Sequence, residues 1–275
     1  MTGAPTASHE PQRPPAGAEQ GAWRARGYRV LALFPHPDDE AYAAGGLLAR
    51  CASAGAAVEL VCATRGERGT DRAGVAHGAS LAALRTHELA ESCRSLGIGP
   101  PRLLDLPDGG LAGVARAAIG LLSDELRRMR PHVVVTLGVD GVYASLDHQA
   151  WTAAVDAAVR ACADPPRLLH AVFPRGLFLP VWRALRRRRG DRIVAEVDPQ
   201  SLGVGAADAE LRVDVRPARD RKLAAIAAHR SQLVDGDPLT FLRRGIVEQL
   251  LDEEWYVVAH GPALPRGGGD PFVGL

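Results

Sequence analysis

The stretch LALFPHPDDEAYAAGGLLAR, residues 31–50, decides the fold of this chain. An apolar run at residues 28–34 leads through the polar turn PHPDD into helical periodicity over residues 40–54, which ends at Gly55. A buried strand followed by a polar turn and a helix is the unit from which parallel α/β sheets are built. We therefore expect the first turn of such a sheet at residues 35–39.

The rest of the chain continues this alternation. It predicts an α/β fold in which helices cover both faces of a mostly parallel sheet. Further strands are predicted at residues 58–63, 103–106, 132–137, 168–173 and 211–215, and further helices at 80–96, 111–130, 148–162, 218–233 and 238–253.

Composition changes mark the expected domain boundaries. Residues 1–27 are rich in Pro, Gly and Ala and predict a disordered leader, and residues 261–275 predict a flexible tail. Residues 28–260 form one predicted domain. Within it, the pattern loosens at residues 174–210, which we interpret as a lid or insertion.

Charge and cysteine content exclude several classes of protein. The 33 Lys and Arg balance 32 Asp and Glu, which argues against a nucleic-acid partner or an anionic membrane. No apolar run approaches the length of a membrane span. The four cysteines are widely separated, so neither a disulfide framework nor a thiolate metal cage is expected, and a reducing cytoplasm suits them. We expect a soluble, cytoplasmic protein that acts on a small molecule.

A metal site is indicated where the loops after the first and fourth long strands meet. In a parallel sheet, ligands bind beyond the carboxyl ends of the strands. His36 and Asp39 follow the first strand, and His148 follows the strand at 132–137. Two imidazoles and one carboxylate suit a catalytic divalent ion with open positions, and Asp38 would remain free as a general base. The alternative is that these residues hydrogen-bond within the loop and cap the next helix.

Several motifs together resemble the LmbE-like (PIG-L) de-N-acetylase family. The resemblance begins with the stretch at 31–50. The other motifs that carry it are TRGERG at 64–69, RTHE at 85–88, PDG at 107–109, YASLDH at 143–148 and KLAAIAAHRSQ at 222–232. The resemblance implies a Rossmann-like fold and removal of acetyl groups from N-acetylglucosaminyl compounds. It also implies that His36, Asp39 and His148 bind Zn²⁺, or alternatively Fe²⁺, and that Asp38 is the general base.

The chain departs from this family at one position. The family commonly has His-Pro-Asp-His where this chain has Ser145-Leu146-Asp147-His148, so a serine replaces the first histidine. We expect Tyr143 to donate a hydrogen bond to the developing oxyanion, although it could be a packed loop residue. Asp147 is expected to orient a ligand or Asp38, with helix capping as the alternative.

Other polar residues are candidates for sugar recognition. Arg85 and Glu88 fall on the inward face of the second helix, so Arg85 either binds the sugar or pairs with Glu88. Glu67 and Asp108 follow the second and third strands, where sugar hydroxyls need acceptors, and Ser145 is a further substrate-binding candidate. Lys222 and His229 share a helix face that either lines the outer wall of the pocket or anchors its helix to the sheet, and we expect anchoring.

We therefore expect a metal-dependent hydrolase that releases acetate and a free amino sugar. One alternative is an amidase acting on sugar-linked thiol conjugates, and another is a degenerate member that binds sugar without cleaving it. Non-haem iron oxygenases also use two histidines and one carboxylate. The arginine run 186–189 is interpreted as a solvated face that could at most attract an anionic substrate group.

Overall fold

A computed structural model describes residues 23–70, 74, 77–189, 194–233, 236–238, 246–265 and 269–275. The first 22 residues of the predicted leader and residues 239–245 of the helix predicted at 238–253 lie outside these ranges. The strands are β1 (Arg29–Phe34), β2 (Ala57–Cys62), β3 (Arg102–Leu103), β4 (Val133–Leu137), β5 (Arg167–Val172), β6 (Leu211–Asp214) and β7 (Glu253–His260). The helices are α1 (Asp39–Ser53), α2 (Gly78–Leu96), α3 (Ala115–Met129), α4 (Gly141–Ala144), α5 (Leu146–Arg160), α6 (Leu179–Arg189), α7 (Arg219–Ala228) and α8 (Ile246–Asp252).

One seven-stranded sheet has the order β3-β2-β1-β4-β5-β7-β6. The first five strands pair in parallel, and β7 is antiparallel to both β5 and β6. Alternate residues of β1 enter two different cores: Phe34 packs with α1, α2 and α7, whereas Leu33 packs with α3 and α5. The predicted α/β class, with helices on both faces of a mostly parallel sheet, is therefore confirmed.

The strand β7 is the main correction to the expected elements. The predicted helix ran through residue 253, whereas α8 ends at Asp252 and the chain enters β7 directly. No Gly or Pro marks a boundary between the two elements, so no turn signal indicated a new strand. Residues 254–256 of β7 are all buried, so its residues do not alternate between a buried and an exposed face as a typical strand does. The aromatic and β-branched run at 255–258 was the available signal.

Both described ends of the chain pack at the amino ends of the strands. Phe272 stacks on Tyr28 with ring centroids 4.6 Å apart and meets Trp23 edge-on at 6.5 Å. Arg167, at the start of β5, donates to the backbone oxygens of Pro262 and Pro271 at 2.9 and 2.7 Å. The structure thus differs from the expected leader boundary at residue 27 and from the expected flexible tail after residue 260, because buried rings and Arg167 hold both segments.

The segment predicted as an insertion, residues 174–210, contains α6 and contacts the loop after β4. The backbone N–H of Ala195 donates to the oxygen of Ala144 at 2.8 Å, and that of Gly203 donates to Asp140 Oδ2 at 2.8 Å. These bonds join the segment to α4 and its neighbours, while its role as a lid stays a prediction. Within the described ranges, no helix has the length and apolar character that crossing a membrane requires.

Candidate metal centre

Three predicted ligands converge at the carboxyl ends of β1 and β4. His36 follows β1, Asp39 is the first residue of α1, and His148 lies in the first turn of α5. His36 Nδ1 lies 3.2 Å from His148 Nε2 and 3.3 Å from Asp39 Oδ2. His148 Nε2 is 3.5 Å from the same carboxylate oxygen. One nitrogen of each imidazole and one carboxylate oxygen therefore face a common point.

The hydrogen bonds of both rings define which nitrogens carry hydrogen. His148 Nδ1 lies 3.1 Å from the backbone oxygen of Gly141, which can only accept, so Nδ1 is the donor. His36 Nε2 faces Asp108 Oδ1 at 3.2 Å and Asp147 Oδ2 at 3.3 Å and is likewise the donor. In the neutral rings, the remaining lone pairs on His36 and His148 point toward each other. A divalent cation would relieve this repulsion, so the donor set fits a metal ion.

The electrostatics also favour positive charge at this point. Burial lowers the pKa of His36, but hydrogen bonds to Asp108, Asp147 and Asp39 outweigh it and leave that pKa well above its usual value. Burial lowers the pKa of His148, which favours the neutral ring that a metal requires. Partial burial would raise the pKa of Asp39, yet the two histidines lower it and keep this carboxylate ionised.

Asp38 lies beside this group in a strained backbone conformation. Its φ of 118° and ψ of −32° fall outside the regions that L-residues usually occupy, which costs about 1–3 kcal/mol. Burial raises the pKa of its carboxyl to about 6, against the opposing effect of Arg85. A carboxylate with this pKa can accept a proton close to neutral pH.

Arg85 contacts the loop that carries Asp38. Its side chain, from α2, is 4% exposed. The guanidinium donates to the backbone oxygens of Pro37 and Gly66, and Nη2 lies 3.2 Å from Asp38 Oδ2. The alternative pairing of Arg85 with Glu88 is wrong, because both oxygens of that carboxylate accept from Ser231 at 2.7 Å.

Asp147 links His36 to a neighbouring loop. Its Oδ2 accepts from Gly109 N at 2.7 Å and its Oδ1 from Leu111 N at 3.1 Å, while Oδ2 also faces His36. The side chain thus contacts a predicted metal ligand, as expected for an orienting residue. These bonds also fix the loop after β3 against the start of α5.

Asp108 and Glu67 contact each other as well as the site. Asp108 Oδ2 accepts from Arg68 N at 2.7 Å, and its other oxygen faces His36. Glu67 Oε1 accepts from the backbone N–H of Asp108 at 2.9 Å. Bonding to His36 lowers the pKa of Asp108 to about 2 against the effect of burial, so this carboxylate stays charged. Both residues lie at the predicted sheet edge.

Tyr143 and Ser145 occupy the loop after β4. The Tyr143 ring lies 5.1 Å from that of His148, between two non-glycine residues with positive φ, Val142 and Ala144. Burial raises the pKa of Tyr143 above its usual value, so the phenol keeps its proton. Ser145 is the N-cap of α5, where its Oγ accepts from His148 N at 3.4 Å.

Buried groups behind Asp38 were missed in the sequence. Glu40 is fully buried, and its carboxylate accepts from Asp38 N, Ser92 Oγ and His229 Nε2 at 3.0, 2.6 and 2.7 Å. Lys222 bonds to Glu254 of β7 at 2.6 Å, which confirms that its helix is anchored to the sheet. His229 instead anchors the end of this helix to α1 through Glu40. An acidic residue directly after PHPDD was the only sequence signal for Glu40.

Comparisons with known proteins agree on one family. The model of the PIG-L family, described as GlcNAc-PI de-N-acetylase, matches residues 31–159. The 1D-myo-inositol 2-acetamido-2-deoxy-alpha-D-glucopyranoside deacetylase of Saccharomonospora viridis is 33% identical over 256 residues, covering 85% of this chain and 96% of the relative. The protein of the same name from Nakamurella multipartita is 34% identical over 272 residues, with 87% and 92% covered.

A solved structure is similar over much the same length. The N,N'-diacetylchitobiose deacetylase of Pyrococcus horikoshii superposes with a TM-score of 0.56 at 25% identity, covering 84% of this chain and 83% of that one. Both kinds of relative extend well beyond the segment that the family model matches. The expectation drawn from the motifs is therefore confirmed: this chain belongs to the PIG-L, or LmbE-like, family of de-N-acetylases.

Proposed function

We propose that this protein removes the N-acetyl group from an N-acetylglucosaminyl-type substrate, releasing acetate and a free amino sugar. The observation that carries the proposal is the convergence of His36 Nδ1, His148 Nε2 and an Asp39 oxygen beside the uncoordinated carboxylate of Asp38. The names of the relatives support the sugar, since they describe a 2-acetamido-2-deoxy-glucopyranoside and a diacetylchitobiose as substrates of those proteins.

His36, Asp39 and His148 would hold the metal, for which we propose zinc, with ferrous iron as the alternative. Two nitrogens and one oxygen are a ligand set typical of catalytic zinc sites. When bound, such an ion supplies Lewis acidity, which lowers the pKa of water and polarises a carbonyl group. Asp108 and Asp147 fix the ring of His36 for this task by accepting its Nε2 hydrogen.

Asp38 performs the proton transfers of the proposed reaction. Its carboxylate accepts a proton from the attacking water as the water oxygen adds to the acetamide carbonyl carbon. It then gives this proton to the amine nitrogen as the carbon–nitrogen bond breaks, so the products are acetate and the amine. The pKa of about 6, raised by burial, suits both steps near neutral pH.

Tyr143 is the proposed hydrogen-bond donor to the developing oxyanion. Its ring packs beside His148, and burial keeps its phenol protonated. The hydroxyl of Ser145 caps α5, which supports a structural role for it rather than the substrate-binding role expected from the sequence. We assign the donor function to Tyr143 because its phenol keeps its proton beside His148.

Glu67 is the proposed acceptor for a sugar hydroxyl. One of its carboxylate oxygens accepts from Asp108 N, and the side chain is half-buried at the edge of the site. Arg85 and Asp108 were also predicted to bind sugar. Arg85 instead contacts Asp38, the proposed general base, and Asp108 contacts His36, a proposed metal ligand. Their proposed task is to hold these two residues, and any contact with the sugar is secondary.

The test is acetate release from a panel of N-acetylglucosaminyl compounds by zinc-loaded protein. Asp38→Asn is expected to lower kcat by about 10²–10⁴-fold because it removes the general base, while bound zinc is retained. His148→Ala is expected to lose zinc. Metal content and acetate are measured for all three proteins, without oxygen.

The products decide between this function and its rivals. A larger carboxylic acid in place of acetate would favour the amidase, and a requirement for oxygen would favour an oxygenase. Full acetate release by either variant would overturn the assignment of these residues.

A further inference from the structure

Asp38 is held at two ends by two different buried side chains. Arg85 contacts its carboxylate, with Nη2 3.2 Å from Oδ2. Glu40 contacts its backbone, with Oε2 accepting from Asp38 N at 3.0 Å. The backbone bond is the more unusual, since it holds a residue whose φ is 118°. A non-glycine residue keeps such a conformation only where its surroundings enforce it.

Glu40 is itself fixed by two further elements. Its other oxygen, Oε1, accepts from Ser92 Oγ of α2 at 2.6 Å and from His229 Nε2 at the end of α7 at 2.7 Å. Both Glu40 and His229 are fully buried. A carboxylate with three donors in fixed positions has little rotational freedom, so the position of Asp38 N depends on α1, α2 and α7 together.

We propose that Glu40, oriented by Ser92 and His229, is a positioning residue that keeps Asp38 in its strained backbone conformation and so directs the catalytic carboxylate. The inference rests on the proposed role of Asp38 as general base. Loss of the Glu40 contact would let the backbone at Asp38 relax toward ordinary angles. The carboxylate would then leave its place beside the metal ligands, while the ligands themselves remain.

A second buried carboxylate in the same part of the fold is a matched control. Glu254 of β7 is buried and accepts from Lys222 Nζ at 2.6 Å, from the N–H groups of Gly46 and Leu47 in α1 at 2.7 and 2.8 Å, and from Tyr256 Oη at 2.7 Å. Glu40 and Glu254 thus both join α1 to a buried basic side chain, His229 or Lys222, of the α7 region. Only Glu40 contacts Asp38.

The experiment compares Glu40→Gln with Glu254→Gln in full-length protein. An amide offers one acceptor oxygen and two hydrogens of its own, so it cannot satisfy the three donors around residue 40. Glu40→Gln is expected to lower kcat by about tenfold or more with KM within about twofold, because a small displacement of a catalytic group lowers the rate steeply. Glu254→Gln is expected to lower stability at least as much but to leave kcat within about twofold.

Two further measurements separate this inference from the proposed function. The exchange rate of the Asp38 amide hydrogen is expected to rise in Glu40→Gln and to stay unchanged in Glu254→Gln, whether or not any substrate is turned over. Zinc affinity, measured by chelator competition, is expected to stay within about threefold of the wild type in both variants, since the three ligands are retained.

The outcomes are decisive in each direction. Equal losses of kcat in the two variants, or unchanged exchange at Asp38 in Glu40→Gln, would overturn the positioning role. Absence of acetate release from the wild type would overturn the proposed function alone, because the exchange experiment still reports on Asp38. If Glu40→Gln does not fold, Ser92→Ala, which removes one donor and keeps the carboxylate, is expected to lower kcat by about threefold with faster exchange at Asp38. An unchanged kcat and exchange rate there would overturn the inference.

Discussion

The two edges of the same sheet are built from different interactions. At the carboxyl edge, buried charges converge and the backbone is strained: four of the five non-glycine residues with positive φ in the described ranges, namely Asp38, Asp105, Val142 and Ala144, lie in its loops. At the amino edge, aromatic rings and backbone carbonyls hold the chain ends. Strain and buried charge oppose folding, whereas packed rings favour it. The comparison indicates that one edge serves chemistry and the other serves stability.

Among residues that support the carboxyl edge, the largest effect on kcat is expected from Arg85→Lys. Lysine keeps the charge but cannot contact Pro37, Gly66 and Asp38 at once, since it lacks the planar fork of arginine. We expect kcat to fall by about 100-fold with KM changed by less than about threefold. Steady-state kinetics of acetate release checks this. A rise in KM at constant kcat would instead mean that Arg85 binds the sugar, as first expected from the sequence.

Phe272→Ala at the amino edge is expected to lower stability and not catalysis. The ring is 5% exposed and packs on Tyr28 and Trp23, so its loss should lower the free energy of unfolding by about 3 kcal/mol. Both kcat and zinc affinity should stay the same below the unfolding transition. Denaturant titration measures the first quantity. A matching fall in kcat would break the separation between the two edges.

The smallest effect is expected from Ser145→Ala. Ser145 lies at the carboxyl edge, but its bond as the N-cap of α5 contributes to stability. Loss of its N-cap bond to His148 N should lower the free energy of unfolding by about 1 kcal/mol. The value of KM should be unchanged. A clear increase of KM without loss of stability would show that this hydroxyl contacts substrate and that the capping interpretation is wrong.

The parallel part of the fold was readily predicted because local signals coincide with tertiary burial. The run at 133–137 is β-branched and fully buried, and α2 ends where Gly97 adopts a φ of 76°. The strand β7 was not predicted, because it lies between β5 and β6 in the sheet although it follows both in the chain. Its pairing depends on contacts between distant segments, which periodicity does not encode.

The site divides in a similar way. His36, Asp39 and His148 were placed at one edge because the topology of a parallel sheet brings their loops together. The partners of these proposed ligands could not be derived from the sequence. That Asp108 and Asp147 share the Nε2 hydrogen of His36 depends on distances between loops that are about 70 to 110 residues apart in the chain. Glu40 was missed because its burial is set by α2 and α7, not by its neighbours in the sequence.

The bonds made by Glu40 and Glu254 have a consequence for the order in which the protein assembles. All three proposed metal ligands lie within residues 31–159, the segment that the family model matches. His229, which orients Glu40, and Glu254, which binds the middle of α1, are synthesised about 80 and 105 residues after His148. When residue 159 has been synthesised, every proposed metal ligand is therefore present in the chain. The two later residues that bond to α1 are not. On the proposed role of Glu40, Asp38 is therefore positioned only after His229 has been synthesised.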